Sequence, residues 1–333
     1  MKTIQVSIKN QDSYNVHIKH GLLSEIDKYI DGTREIVVIT DDFIPKQYLE
    51  LLQTKINVST VFEVPAGENS KSMEMANSLL NELVDLKFSR GVILIALGGG
   101  VVGDLTGFIA SIYMRGVDFI QIPTTLLSQI DSSIGGKVGI NADNMKNAIG
   151  SFYQPKVVLI DPNTLDTLDE KQFNNGMGEL IKHGMIAGKG LFLDLLNNNP
   201  KEHIEELIYQ SLQIKREVVE QDVYDRGVRQ LLNYGHTIGH AIEQNSNYEL
   251  LHGECVAIGM SIMAKGYPYE ADLHKILNKY NLPTSYKYNK NEIYEYIKTD
   301  KKVTNNKLNI ILVEEVGKGF IKTIDIEEIK KYM

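Results

Sequence analysis

The chain has 333 residues, 43% of them hydrophobic and 23% charged, with a formal net charge of −8. This is globular composition with room for two domains, so a disordered chain is excluded. The negative balance excludes a general nucleic-acid binder, and no apolar run reaches the ~18 residues that span a bilayer.

The single cysteine, Cys255, rules out an internal disulfide framework. The N-terminus alternates like a strand and lacks the apolar core of a signal peptide, so the features together fit a cytoplasmic protein. A small anionic ligand stays open, because a local cluster of Lys and Arg overrides the global balance.

Ile4, Val6 and Ile8, then Tyr14, Val16 and Ile18, alternate with period two, which predicts an antiparallel hairpin. Residues 36–40, 58–64, 92–97, 119–122 and 157–160 read as buried strands. Apolar residues recur at helical spacing over 71–87. Strand–helix alternation of this kind predicts an α/β domain with a Rossmann-like, mostly parallel sheet. Helical patterns then take over at 180–196, 204–221, 231–244 and 254–265, before a hairpin at 308–313 and 320–324. The expected division is an α/β domain over 1–165 and a mainly α-helical domain over 166–333, with the boundary within 161–171. The Lys-containing run 287–302 reads as a flexible loop.

Gly98, Gly100 and Gly103 satisfy G-x-G-x-x-G between a strand and a helix, a pattern that brings backbone N–H groups to a diphosphate. An ordinary dinucleotide fold puts an acidic residue at the end of the next strand, about 20 residues on. Asp118 has that spacing but begins its strand, so an ordinary Rossmann dehydrogenase is disfavoured. Two further loops follow strands: Pro65 to Lys71, offering Glu68 and Lys71, and Pro123-Thr124-Thr125, offering hydroxyls. Ligands of open α/β sheets bind at such carboxyl ends.

His236 and His240 stand at i and i+4, and His252 follows closely. Glu179 lies in a glycine-flanked helical stretch, and two His with one carboxylate suit a catalytic metal with an open position. Spacing alone pairs His236 with His240, leaves Glu243 and Glu254 as further candidates, and leaves His183 undecided. A lone helical His is more often a satisfied core or surface residue, and His203 and His274 are read as surface. Asp131, Lys137, Lys146 and Asn147 occupy a glycine-rich polar belt suited to phosphate, while Lys215 and Arg229 flank the histidine motif.

These motifs, in this order, resemble the 3-dehydroquinate synthase family. The likeness rests on LGGGVVGDLTGF, YMRGVDFIQIPTTLLSQIDSSIGGKVGIN, KNAIGSFYQP, GMGELIKHG, LLNYGHTIGHAIE and LHGECVAIGM, and runs from about residue 36 to 313. It implies NAD, one zinc or cobalt ion, a homodimer, and conversion of the seven-carbon sugar acid phosphate DAHP to 3-dehydroquinate in the shikimate pathway. By motif position, Glu179, His236 and His252 would hold the metal, and His240 would move to the substrate.

The resemblance also implies that NAD sits on Asp41, Glu68, Lys71, Gly99, Gly100, Val101, Asp104, Thr124 and Thr125. Lys137, Lys146, Thr164 and Thr167 would close over it. Asp131, Lys137, Asn147, Lys182, Lys215, Arg229, Asn233 and His240 would surround the substrate, with Arg115 reaching across the dimer. One of Lys301 and Lys302 would meet the phosphate. Phe43 departs from the polar residue that the family often has there. The rivals are another sugar phosphate cyclase, whose substrate would leave Lys215 and Arg229 without a carboxylate, and a metal-dependent glycerol or alcohol dehydrogenase, which would form NADH in net amounts. A nucleotide-binding regulatory protein would leave the metal triad unexplained.

Overall fold

A computed structural model of the chain describes every residue except 10, 11, 143, 144, 299–302 and 304. The described residues divide into two compact units, Met1–Asp169 and Glu170–Met333. No described helix is long and apolar enough to cross a membrane. Lys301 and Lys302 lie outside the described residues.

The first unit contains β1 (Lys2–Val6), β2 (Tyr14–Ile18), β3 (Ile36–Asp41), α1 (Lys46–Lys55), β4 (Thr60–Val64), α2 (Met73–Asp85), β5 (Ile93–Gly98), α3 (Gly100–Ile112), β6 (Asp118–Pro123), β7 (Lys137–Ala142), β8 (Met145–Phe152) and β9 (Val157–Ile160). Its seven-stranded sheet has the order β1-β2-β9-β6-β5-β3-β4. Every pairing in it is parallel except the β1–β2 hairpin. The central strands are apolar at successive positions because helices cover both faces. Val37 and Ile39 pack with α2 and α3, whereas Ile36 and Val38 pack with α1.

This topology contains a switch point. From β3 the chain moves outward through α1 to β4, on one face of the sheet. From β5 it moves the other way, through α3 on the opposite face, to β6. The crevice at the carboxyl ends of β3 and β5 is where an open sheet of this kind accepts a ligand.

The glycine-rich polar belt is partly the β7–β8 hairpin. Glycine makes that pairing possible, since a Cβ at Gly150 would stand 2.2 Å from the Val138 carbonyl oxygen.

The second unit contains α4 (Glu170–Ala187), α5 (Lys189–Asn197), α6 (Ile204–Gln221), α7 (His236–Asn245), α8 (His252–Met263), α9 (Glu270–Lys279), α10 (Lys290–Lys298) and the antiparallel hairpin of β10 (Lys307–Glu315) and β11 (Lys318–Asp325). The helix expected at 180–196 is two helices, and α4 begins ten residues earlier than the apolar pattern indicates. Its first half is rich in Asn and Gly, which hides the helical period. The helix expected at 231–244 is also broken: a 3₁₀ segment, Val228–Asn233, ends before Gly235, whose φ of 76° starts α7. The run 287–302 is not simply a loop, because α10 buries Ile293, Tyr294 and Ile297.

Glycine decides how closely these helices approach. A Cβ at Gly259 of α8 would lie 1.9 Å from the Gly235 carbonyl oxygen, and one at Gly253 would lie 2.0 Å from that of Asn175 on α4. Backbone meets backbone at both crossings. The expected outcome for Gly259→Ala is a loss of about 1–3 kcal/mol from overpacking, read by chemical denaturation. An unchanged unfolding midpoint would show that α8 can shift away without cost.

Candidate metal and nucleotide sites

The second unit brings Glu179 of α4, His236 of α7 and His252 of α8 to one point. Glu179 Oε1 lies 3.3 Å from His236 Nε2 and 3.3 Å from His252 Nε2. The carboxylate is completely buried, yet Oε1 has no hydrogen-bond partner. Lys182 donates to the other oxygen, Oε2. His236 Nδ1 stands 3.1 Å from the Tyr234 carbonyl oxygen, which can only accept, so that nitrogen carries the proton. The His236 Nε2 lone pair then faces a carboxylate oxygen.

Such converging lone pairs repel unless a cation or a proton lies between them. Two ligands each about 2.1 Å from a tetrahedral ion stand about 3.4 Å apart, close to the separations seen here. The donor set therefore fits a divalent zinc-like ion. His240 also belongs to the cluster: ring nitrogens of His236, His240 and His252 lie within 4.8 Å of one another. Of the other candidates, Glu254 accepts from Leu251 N at 2.7 Å and caps α8. Glu243 Oε2 lies 3.7 Å from His252 Nδ1.

Without an ion the charges settle differently. Burial would raise the Glu179 pKa, but Lys182 and His236 overrule it and hold the carboxyl well below its usual range. Burial lowers His236, against the pull of Glu179. Burial would lower His252 as well, but Glu179 and Glu243 raise it to about 9.

The same unit buries three cations, of which Lys182 touches the triad: Lys182, Lys215 and Arg229 are 1%, 4% and 3% exposed. Arg229 donates through Nη1 to the Val223 carbonyl at 2.6 Å. Asp222, which the sequence reading passed over, accepts from the backbone N–H groups of Arg226, Gly227 and Arg229 at 3.1, 2.6 and 3.1 Å. It thereby shapes the loop that presents Arg229. Asn233 closes the 3₁₀ segment that follows. His183 is buried against Ser211 Oγ at 2.6 Å, and the supposed surface residues His203 and His274 are half-buried, hydrogen-bonded to Asp194 and Ser261.

In the first unit, Gly99 is the N-cap of α3 and supplies no side-chain cap, and no acidic residue stands in the first turn. The first-turn N–H groups of a 13-residue helix thus point into the β3–β5 crevice end of the sheet. Thr124 Oγ1 is buried without a hydrogen-bond partner. Asp41 ends β3, and its Oδ1 accepts from the N–H groups of Phe43 and Ile44 at 3.0 and 3.1 Å. Uncapped donors, an unsatisfied hydroxyl and a strand-end carboxylate fit a nucleotide diphosphate and its ribose. Asp118, by contrast, pairs with Arg34 at 2.7 Å.

Lys71 is 4% exposed and is not a solvent-facing cation: Nζ meets Asp104 Oδ2 at 2.8 Å and Asn147 Oδ1 at 2.5 Å. Burial would lower its pKa, but Asp104 and Glu68 hold it above the ordinary lysine value. Asn141 links the set, donating to Glu68 Oε1 at 2.8 Å and accepting from Asn147 N at 2.8 Å. Its signal in sequence was only its place in the belt.

Thr125 bonds Ser128, Thr167 bonds Tyr48, and Thr164 is buried, accepting from Gln129 at 2.9 Å. The Thr164 and Thr167 hydroxyls are thus engaged within their own unit. Asp131 lies in the short π-helical turn Ser128–Ser132, Lys137 is exposed at the start of β7, and Lys146 is half-buried on β8. Val101 is in the first turn of α3. Arg115 is exposed on a turn where Met114 and Arg115 both have positive φ, 48° and 67°.

Residues 61–175 match the family model described as 3-dehydroquinate synthase N-terminal, and residues 176–303 match 3-dehydroquinate synthase C-terminal. The chain belongs to the 3-dehydroquinate synthase family. It is 46% identical to the 3-dehydroquinate synthase of Clostridium perfringens (strain 13 / Type A), over 98% of this chain and 99% of that one. The corresponding enzyme of Clostridium botulinum (strain Alaska E43 / Type E3) is 43% identical over 99% and 100%. Among solved structures, 2-deoxy-scyllo-inosose synthase complexed with carbaglucose-6-phosphate, NAD+ and Co2+ superposes with a TM-score of 0.88 at 26% identity, covering 99% of this chain and 98% of that one.

An ion held by Glu179, His236 and His252 would be taken up in exchange for a proton. Below about 9 the ion-free ring is protonated, and an incoming ion must displace that proton. Zinc or cobalt binding at pH 7 is expected to release about one proton, with affinity rising about tenfold per pH unit until the ring's own titration is passed. Calorimetry in buffers of different ionisation enthalpy measures this. Uptake at pH 7 with no proton release would overturn the assignment of His252 as the displaced acid.

Proposed function

We propose that this enzyme converts DAHP to 3-dehydroquinate and phosphate by transient oxidation, phosphate elimination, re-reduction, ring opening and intramolecular aldol closure. One observation carries the reading: a buried carboxylate–histidine metal site shares a unit with three buried cations, as an anionic substrate held beside a metal requires. The identity of 46% to a synthase against 26% to a cyclase of different product supports it over the rival cyclases.

Glu179, His236 and His252 would hold one zinc or cobalt ion. Asp41, Glu68, Gly99, Gly100, Val101, Thr124 and Thr125 would hold NAD, with Lys71 and Asp104 ordering the loops beneath it and Lys137, Lys146, Thr164 and Thr167 at its margin. When bound, NAD supplies a reversible hydride acceptor and the metal lowers the pKa of the hydroxyl being oxidised.

The chain's residues do the rest. Lys182 keeps Glu179 ionised at the bottom of the site. Lys215 and Arg229 receive the substrate carboxylate, Arg229 in the bidentate manner that its planar guanidinium allows. Asn233 and His240 hydrogen-bond the sugar hydroxyls, and Asp131, Lys137 and Asn147 hold the phosphate end. The substrate's own phosphate serves as the base for its elimination, and a held conformation steers the closing step.

The test is incubation with DAHP, catalytic NAD and zinc or cobalt. Phosphate is expected to accumulate far beyond any NADH formed, and chelation or Glu179→Gln is expected to lower the rate by about 100-fold or more. Phosphate appearing only in proportion to NADH would favour a dehydrogenase instead.

Arg115 is exposed on the strained turn Met114-Arg115, which suits a homodimer in which it completes the partner's phosphate pocket. An Arg115→Ala protein mixed with a Glu179→Gln protein is then expected to recover part of the activity that each lacks alone. Mixed dimers that stay inactive would place Arg115 in its own subunit.

A further inference from the structure

Glu243 is a carboxylate in an unfavourable place. It stands in the last turn of α7, where the helix dipole opposes negative charge, and it is 7% exposed. Glu254, in the first turn of α8, shows the favourable alternative, since it meets the helix N-terminus and caps Leu251 N at 2.7 Å. A buried carboxylate at the wrong end of a helix needs a compensating partner. Glu243 has one in His252, whose Nδ1 lies 3.7 Å from Oε2.

The stripe along α7 explains the placement. His236, His240 and Glu243 follow at i, i+4 and i+7, on the one face that α8 covers. The two ligating histidines are thereby backed differently. His236 gives its Nδ1 proton to a neutral carbonyl, that of Tyr234. His252 is backed by a full negative charge.

We infer that Glu243 is a positioning residue for the metal: it fixes the Nδ1–H tautomer of His252, aims Nε2 at the ion and strengthens that nitrogen as a donor. The inference rests on the reading of Glu179, His236 and His252 as metal ligands and adds a group outside that set. A carboxylate behind a ligating imidazole orients the ring and raises its basicity.

Metal affinity reads this directly, without activity. Stripped protein is titrated with zinc against a chromophoric chelator, and with cobalt while its visible absorption bands are followed. Glu243→Ala is expected to weaken both metals by about 10- to 100-fold and to shift the cobalt bands, because one ligand is no longer held in place. Glu243→Gln, which keeps the volume and an acceptor oxygen but loses the charge, is expected to fall between that variant and the unaltered protein. Glu254→Gln, which alters only a helix cap, is expected to leave affinity and spectrum alone.

Unaltered affinity and bands in Glu243→Ala, with Glu179→Gln severely weakened, would overturn the role of Glu243 and leave the metal site standing. Equal affinity in the Glu179→Gln protein would instead overturn the site itself. If Glu243→Ala does not fold, Glu243→Gln decides: binding as tight as in the unaltered protein sinks the inference.

Discussion

The second unit depends on helices packed so closely that no side chain fits between them. At the crossings of α8 with α4 and with the start of α7, the atom that a Cβ would strike is a backbone carbonyl oxygen, which cannot rotate aside. Helix axes that ordinarily stand 8–10 Å apart come together as far as backbone contact allows. Glu179, His236 and His252 each sit within a turn of one of these contacts. Their convergence on a single point follows from glycines that carry no chemistry of their own.

The glycines flanking the chemical residues therefore serve two ends that the linear motif does not separate. Gly98 and Gly103 are required by packing, since a Cβ would strike Val102 at 2.7 Å and Gln121 at 2.7 Å. Gly99 is the one that begins α3 without a side-chain cap, leaving the donors of the first turn exposed to a ligand. One G-x-G-x-x-G pattern thus contains both structural and ligand-facing positions.

Charge inside both units is balanced locally. Lys71 sits among Asp104, Glu68 and Asn147, Lys182 sits on Glu179, and Arg229 comes from a loop ordered by Asp222. Buried ions of this sort contribute little net stability, because desolvation offsets their attraction, but removing one partner leaves an uncompensated charge. Their worth lies in holding donors still. Glu179 Oε1, faced by two imidazole nitrogens at 3.3 Å, stands out against this background as the point where a cation fits.

Composition and period determined a great deal by themselves. Alternation exposed the N-terminal and C-terminal hairpins, and continuous apolar runs exposed strands buried on two faces. The long motifs identified the family and, through that resemblance, implied Glu179, His236 and His252 as the metal ligands. Local reading failed where the reason for a residue was another segment. The Asn- and Gly-rich start of α4 looks unlike a helix until α8 is laid against it, and α10 looks like a basic loop until Ile293, Tyr294 and Ile297 find a core. The strand-end carboxylate beside the glycine loop could not be found by counting forward from it. Strand order inverts chain order here, so that β3, ending in Asp41, lies beside β5, while Asp118 at the near end of β6 answers to Arg34. Spacing put His236 with His240 because an α-helix makes i and i+4 neighbours. The crossing of three helices is what brings Glu179 and His252 to His236 and sets Glu243 behind His252, since such contacts depend on distances through space that no interval along the chain records.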